Sequence, residues 1–279
     1  MLPGESPRPE STDPRPPFGE PTPAPAAAGG GRGVGAGVAA AGALAVVKSK
    51  GALGLLKALP FGKLALTGGS AAVMVLLEGM RSGLPFALGF VALIFVHEMG
   101  HAVAIRRAGL QAGWPVFIPF FGAMIALKGR TPDADTEAEI AFGGPVAGTA
   151  ASLACAAAGL ALHSRLALHL AYVGFFLNLF NLVPVSPLDG GRVAQAFSRR
   201  AWLVGGLLLG GMFLTTGSPQ LLIIGLMAIP QAIRRSHGEG HAALSPELRQ
   251  TWALRYFGLC FFLGAAVYLC RRLITPPGA

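Results

Sequence analysis

His97-Glu98-Met99-Gly100-His101 is the stretch of the chain best equipped to do chemistry. Two histidines four residues apart on a helix lie about 40° apart around its axis, one turn above each other. Both imidazoles can therefore reach one metal ion. The glutamate between them points near that ion without needing to bind it. The pattern predicts a zinc hydrolase centre with His97 and His101 as ligands and Glu98 as general base. The five residues sit inside an apolar run from Leu84 to Ile105, long enough to span a bilayer. An ionisable triplet in such a segment is costly unless it works. The bland alternative is a pair of polar residues bonded to backbone at a helix end, and it leaves Glu98 unexplained.

Two histidines need a third protein ligand, and a carboxylate oxygen serves. Asp189 is one of four aspartates and the only carboxylate between Glu139 and Glu239. It stands in a Pro187-Leu188-Asp189-Gly190-Gly191 turn. Aspartate before glycine is also a common turn residue, so both readings of Asp189 stand at this point. Asn178 and Asn181, three apart on one helix face, precede it.

The elements that must position these groups read as membrane spans. The chain has 279 residues, is 53% hydrophobic and only 13% charged, with a mean hydropathy of +0.58. Those values fit an all-α polytopic membrane protein. The net charge of +9 would suggest nucleic acid in a soluble protein. Here the basic residues cluster at the ends of apolar segments, so membrane orientation explains them and no nucleic acid partner is expected. Cys155, Cys260 and Cys270 lie in apolar runs without CxxC spacing, which argues against a disulfide scaffold or a thiolate zinc site.

Residues 1–60 are expected to be a disordered Pro/Gly/Ala-rich tail and a basic stretch; 34–47 read as a weak helix or as continued tail. Residues 61–279 are expected to form one transmembrane domain. Spans are expected at about 64–80, 84–105, 137–162, 166–183 and 252–269. Residues 202–230 form either one kinked helix or, preferred on charge balance, a hairpin of two. That makes six or seven helices. Asp135 or Thr136 is a candidate cap for the third. Residues 111–127, punctuated by Gly113, Pro115, Pro119 and Gly122 and preceded by Gly109, read as a short re-entrant β-hairpin or loop. Such a hairpin could offer a strand edge to an extended peptide, or be an interfacial loop with no such role. Gly143-Gly144-Pro145 followed by Gly148 reads first as close helix packing and second as a bend beside the metal site. Lys48, Lys50, Lys57, Lys63, Arg106 and Arg107 face the cytoplasm by the positive-inside rule, which puts the histidines near the cytoplasmic end of their helix.

His97-Glu98-Met99-Gly100-His101 on an apolar helix, with Asn178-x-x-Asn181-x-x-Pro184 and Pro187-Leu188-Asp189-Gly190-Gly191 two spans later, resembles the site-2 protease family of intramembrane zinc metalloproteases. The likeness covers about 83–192. It implies a three-helix core, one zinc per chain, Asp189 as third ligand, and a transmembrane protein substrate cut in or near the lipid bilayer. It also implies that Asn178 and Asn181 bind substrate or steady the oxyanion. A multi-pass protein of a bacterial cytoplasmic membrane, with its site toward the cytoplasm, is expected. The gaps 106–137 and 235–251 are too short for an inserted PDZ or CBS domain. The competing readings are a catalytically silent scaffold of the same fold, and a transporter. The latter predicts polar residues along several spans and inverted repeats, neither of which the sequence has.

Overall fold

The computed structural model describes residues 62–118, 122–128, 132–198, 200–236 and 244–275. The expected tail and basic stretch over 1–60 lie outside these residues. The first helix, α1 (Gly62–Ser82), turns at Gly83, whose φ of 87° a side chain would strain, into α2 (Leu84–Arg107). Pro85 in the first turn and Arg106 and Arg107 in the last suit the two ends of α2.

A two-stranded antiparallel hairpin follows, β1 (Gln111–Ile118) and β2 (Gly122–Lys128). Its register shifts between Ala112 and Pro115. One edge of β1 is taken by α1: the Thr67 hydroxyl donates to the Pro115 carbonyl at 2.6 Å, and the Phe117 amide donates to the Ser70 hydroxyl at 3.1 Å. Pro115 therefore stands where the ladder to β2 needs no N–H, which is why a strand tolerates it. By the same alternation the amides of Ala123 and Ile125, opposite Phe117 and Pro115, point away from β1.

Helix α3 (Ala134–Ala161) is capped by Asp133, whose carboxylate accepts from the Thr136 amide at 2.8 Å. This corrects the expected cap at Asp135 or Thr136: the helix starts one residue beyond Asp133, and Asp135 is already in its first turn. The helix runs on through Pro145. It meets α2 where both backbones are bare: a Cβ on Gly100 would stand 2.2 Å from the Gly143 carbonyl oxygen. Small residues at a crossing let two helices approach this closely.

Helix α4 (Arg165–Asn181) ends at a turn that leads into the short α5 (Asp189–Val193) and a 3-10 turn, Ala194–Ala196. Residues 202–230 are two helices, α6 (Ala201–Thr216) and α7 (Pro219–Ser236), reversed at the left-handed Gly217, so the hairpin alternative is the one found. The last helix, α8 (Pro246–Ile274), packs on α3 and α4 through Trp252, Tyr256 and Leu263.

The fold is helical apart from the hairpin. Among the described residues three helices, α2, α3 and α8, are long and apolar enough to cross a membrane. Helices α6 and the Pro219–Pro230 part of α7 are apolar but shorter. Leu207, Leu214 and Phe261 are more than three-quarters exposed. A surface carrying so many uncovered large apolar side chains suits hydrocarbon better than water.

Candidate metal centre

His97 and His101 project from α2 toward the start of α5, where Asp189 is the first helical residue. All three are buried, at 3%, 7% and 9% exposure. His97 Nε2 lies 3.1 Å from Asp189 Oδ2, His101 Nε2 lies 3.2 Å from the same oxygen, and the two Nε2 atoms are 3.2 Å apart. Among the described residues this is the one group of three side chains arranged to hold a metal ion.

The opposite ring nitrogens decide what those three atoms are. His101 Nδ1 lies 2.8 Å from the carbonyl oxygen of Ile140. A carbonyl only accepts, so Nδ1 must carry the proton. His97 Nδ1 lies 2.8 Å from Asn178 Oδ1. The Asn178 amide cannot be turned round, because its Nδ2 donates to the Gly174 carbonyl at 2.7 Å. His97 Nδ1 therefore also donates. In the neutral rings both Nε2 atoms then present lone pairs, and they face a carboxylate oxygen and each other. Three acceptors at these separations repel unless something positive lies between them. A proton can serve one edge of that triangle; a cation serves all three. The edges match the roughly 3.3 Å between neighbouring ligands of a tetrahedral zinc with bonds of about 2.0 Å. The donor set and its size therefore fit zinc.

Room at the centre comes from α3. A Cβ on Gly144 would stand 2.3 Å from His101 Nε2 and 2.8 Å from His97 Nε2. The sequence offered Gly143-Gly144-Pro145 first as close packing and second as a bend beside the metal site; Gly144 lies against both histidine rings.

The Asp189 turn is wound tightly. Gly190 and Gly191 lie against the backbones of Leu182 and Val185, and a Cβ on Gly190 would stand 2.1 Å from the Leu182 oxygen. The Tyr256 hydroxyl donates to that same oxygen. Arg192 Nε donates to Glu137 Oε1 at 3.3 Å and ties α5 to α3.

Glu98 is buried on α2, 5% exposed, beside the trio but outside it. Asn178 is 1% exposed and bonded to His97. Asn181, the last residue of α4, is half-buried. Among the described residues no hydrogen bond joins it to the trio. The Ile140 carbonyl is a participant that no sequence motif could have pointed to, since every residue has one.

Comparison with known proteins bears on the same stretch. The profile of Peptidase family M50 matches residues 85–166. The matched stretch holds His97, Glu98, His101, Ile140 and Gly144, and ends before Asn178 and Asp189. The chain is 38% identical over 138 residues to a Mycobacterium tuberculosis protein that carries the name zinc metalloprotease Rip3, covering 47% of this chain and 34% of the relative. It is 30% identical over 215 residues to the chloroplastic EGY1 of Oryza sativa subsp. japonica, covering 60% and 36%. To EGY1 of Arabidopsis thaliana it is 30% identical over 174 residues, covering 45% and 32%. Both EGY1 proteins also carry a zinc metalloprotease name. The chain thus spans about a third of the length of the relatives it matches.

Proposed function

We propose that the chain is an intramembrane zinc metalloprotease that hydrolyses peptide bonds in or near transmembrane segments of membrane proteins. The observation that carries the reading is the triangle of His97 Nε2, His101 Nε2 and Asp189 Oδ2, with edges of 3.1 to 3.2 Å and closed by Nδ1 donors on the far side of both rings. His97, His101 and Asp189 would hold the zinc. When bound, zinc supplies Lewis acidity, which polarises a peptide carbonyl and makes water a nucleophile near neutral pH.

The remaining roles belong to the chain's own side chains. Glu98 takes a proton from the attacking water on its carboxylate and passes it to the departing amine nitrogen. Asn181, half-buried at the end of α4, is the amide that would bind the substrate carbonyl or steady the oxyanion. Asn178 shares its helix face but has its carbonyl oxygen engaged by His97. A substrate helix hides its carbonyls in its own hydrogen bonds, so it must be drawn out before Glu98 can act on it. Strand β2 is the receiving edge: α1 occupies the other edge of the hairpin at Pro115 and Phe117.

The surrounding architecture in this reading has seven spans, made by α1, α2, α3, α4, α8 and the two helices of the α6–α7 hairpin. Arg106 and Arg107 at the end of α2 support a site on the cytoplasmic side of a bacterial cytoplasmic membrane in this reading. Zinc analysis of the purified chain beside cleavage of a membrane substrate tests the proposal. One zinc per chain, lost in His97→Ala and in Asp189→Ala together with cleavage, is the expected result. Zinc retained in those variants rejects the site. A wild-type chain that holds zinc but cuts nothing leaves the silent scaffold as the reading.

A further inference from the structure

The fold holds the two histidines by different means. His101 is fixed by a backbone carbonyl, Ile140, on α3. His97 is fixed by a side chain, Asn178, on α4. We propose that Asn178 is a positioning residue for the metal centre: its side-chain oxygen locks the His97 ring in the Nδ1–H form and aims Nε2 at the metal. The proposal rests on the zinc reading of the trio and differs from a role in binding substrate.

Four observations converge on it. Asn178 Oδ1 lies 2.8 Å from His97 Nδ1. The amide has one possible orientation, since Nδ2 donates to Gly174, a residue of the same helix. The side chain is 1% exposed, on the far side of the imidazole from Asp189, where a substrate carbonyl between the ligands has no access to it. The neighbouring helix is shaped to admit it: a Cβ on Gly148 of α3 would stand 2.2 Å from Asn178 Oδ1 and 2.6 Å from Nδ2. An amide nine-tenths buried or more, pinned at its nitrogen and fitted against a bare backbone, is built to hold one bond in one direction. A metal-ligating histidine commonly donates its second N–H to such an acceptor. Loss of the acceptor typically weakens metal binding by about 10- to 100-fold.

The consequence is a link between α4 and the metal. His97 is oriented only while α4 keeps its seat against α2 and α3, so a shift of α4 loosens one ligand and leaves the other in place.

The test is zinc and cobalt binding to the purified full-length chain in detergent, read by competition with a chelator and by the visible spectrum of the cobalt form. Neither readout depends on turnover. Asn178→Leu is expected to weaken zinc binding by about 10- to 100-fold and to alter the cobalt spectrum. Asn178→Asp, which keeps an acceptor for Nδ1–H, is expected to bind within a few-fold of wild type. Gly148→Ala leaves Asn178 in the sequence but displaces it, and is expected to follow Asn178→Leu; it carries the test if Asn178→Leu does not fold. Zinc affinity within two-fold of wild type in both Asn178→Leu and Gly148→Ala, with the cobalt spectrum unchanged, overturns the positioning role while the zinc site stands. A wild-type chain that takes up neither zinc nor cobalt overturns the zinc reading, and the positioning role with it.

Discussion

The Tyr256 hydroxyl donates to the carbonyl oxygen of Leu182, the residue that caps α4 just before the chain turns toward Asp189. Tyr256 is 5% exposed and Leu182 1%. The last helix of the chain thus reaches across 74 residues to hold the first residue of the ligand-bearing turn.

Tyr256→Phe removes that donor and keeps the ring. The Leu182 oxygen is then buried without its hydroxyl partner, which costs about 1–3 kcal/mol. The expected result is a lower unfolding midpoint in detergent, with zinc affinity falling less than in a ligand variant. A midpoint equal to that of wild type would show that the bond contributes nothing to holding the turn.

Gly144→Ala separates helix stability from metal binding. Alanine favours a helix interior by about 1 kcal/mol over glycine. The added Cβ, however, would lie 2.3 Å from His101 Nε2 and 2.4 Å from its Cε1. Zinc content is expected to fall to near zero while the chain still folds. Stoichiometric zinc in a folded Gly144→Ala chain would contradict the packing of α3 over the histidines.

Glu98→Gln keeps shape and removes the base. Removing a general acid–base group typically costs about 10²- to 10⁴-fold in rate. Cleavage is expected to fall by that range, with one zinc per chain retained because Glu98 stands outside the ligand trio. Unchanged cleavage with zinc bound would remove Glu98 from the mechanism.

Ala123→Pro probes the β2 edge proposed to receive the substrate. The Ala123 amide points away from β1, so proline removes one outward donor and no bond of the ladder. Cleavage of a membrane substrate is expected to drop several-fold at unchanged zinc content. A variant as active as wild type, with the hairpin intact by hydrogen exchange, would take β2 out of substrate binding.

Much of the centre was legible because metal chemistry leaves tight sequence signatures. The four-residue spacing of His97 and His101 is a property of one helix, and so is the place of Glu98 between them. Asp189 stood out by scarcity, as a lone carboxylate in a long apolar stretch. The hairpin could be read from proline and glycine punctuation, although nothing local says which of its edges α1 covers. That depends on Thr67 and Ser70, more than forty residues away. The Asn178 bond to His97 was equally hidden. A spacing of three marks Asn178 and Asn181 as neighbours on one face, but which of them meets an imidazole depends on how α4 is rotated against α2. The cap at Asp133 was missed by two residues because three polar candidates crowd one turn. The number of spans was not legible, since α4 and α6 are apolar yet shorter than the usual spanning length of about 20 residues.

His97 and Asp189 are 92 residues apart in the chain and 3.1 Å apart in space. A metal held between them acts as a reversible cross-link through that whole loop. Because it binds the assembled bundle and not its separated helices, its free energy of binding adds to cohesion: about 2.7 kcal/mol when free metal stands at 100 times its dissociation constant. An ion that equips the site for hydrolysis in the proposed reading would then also clasp the fold, and a chelator would remove that added stability together with the Lewis acid.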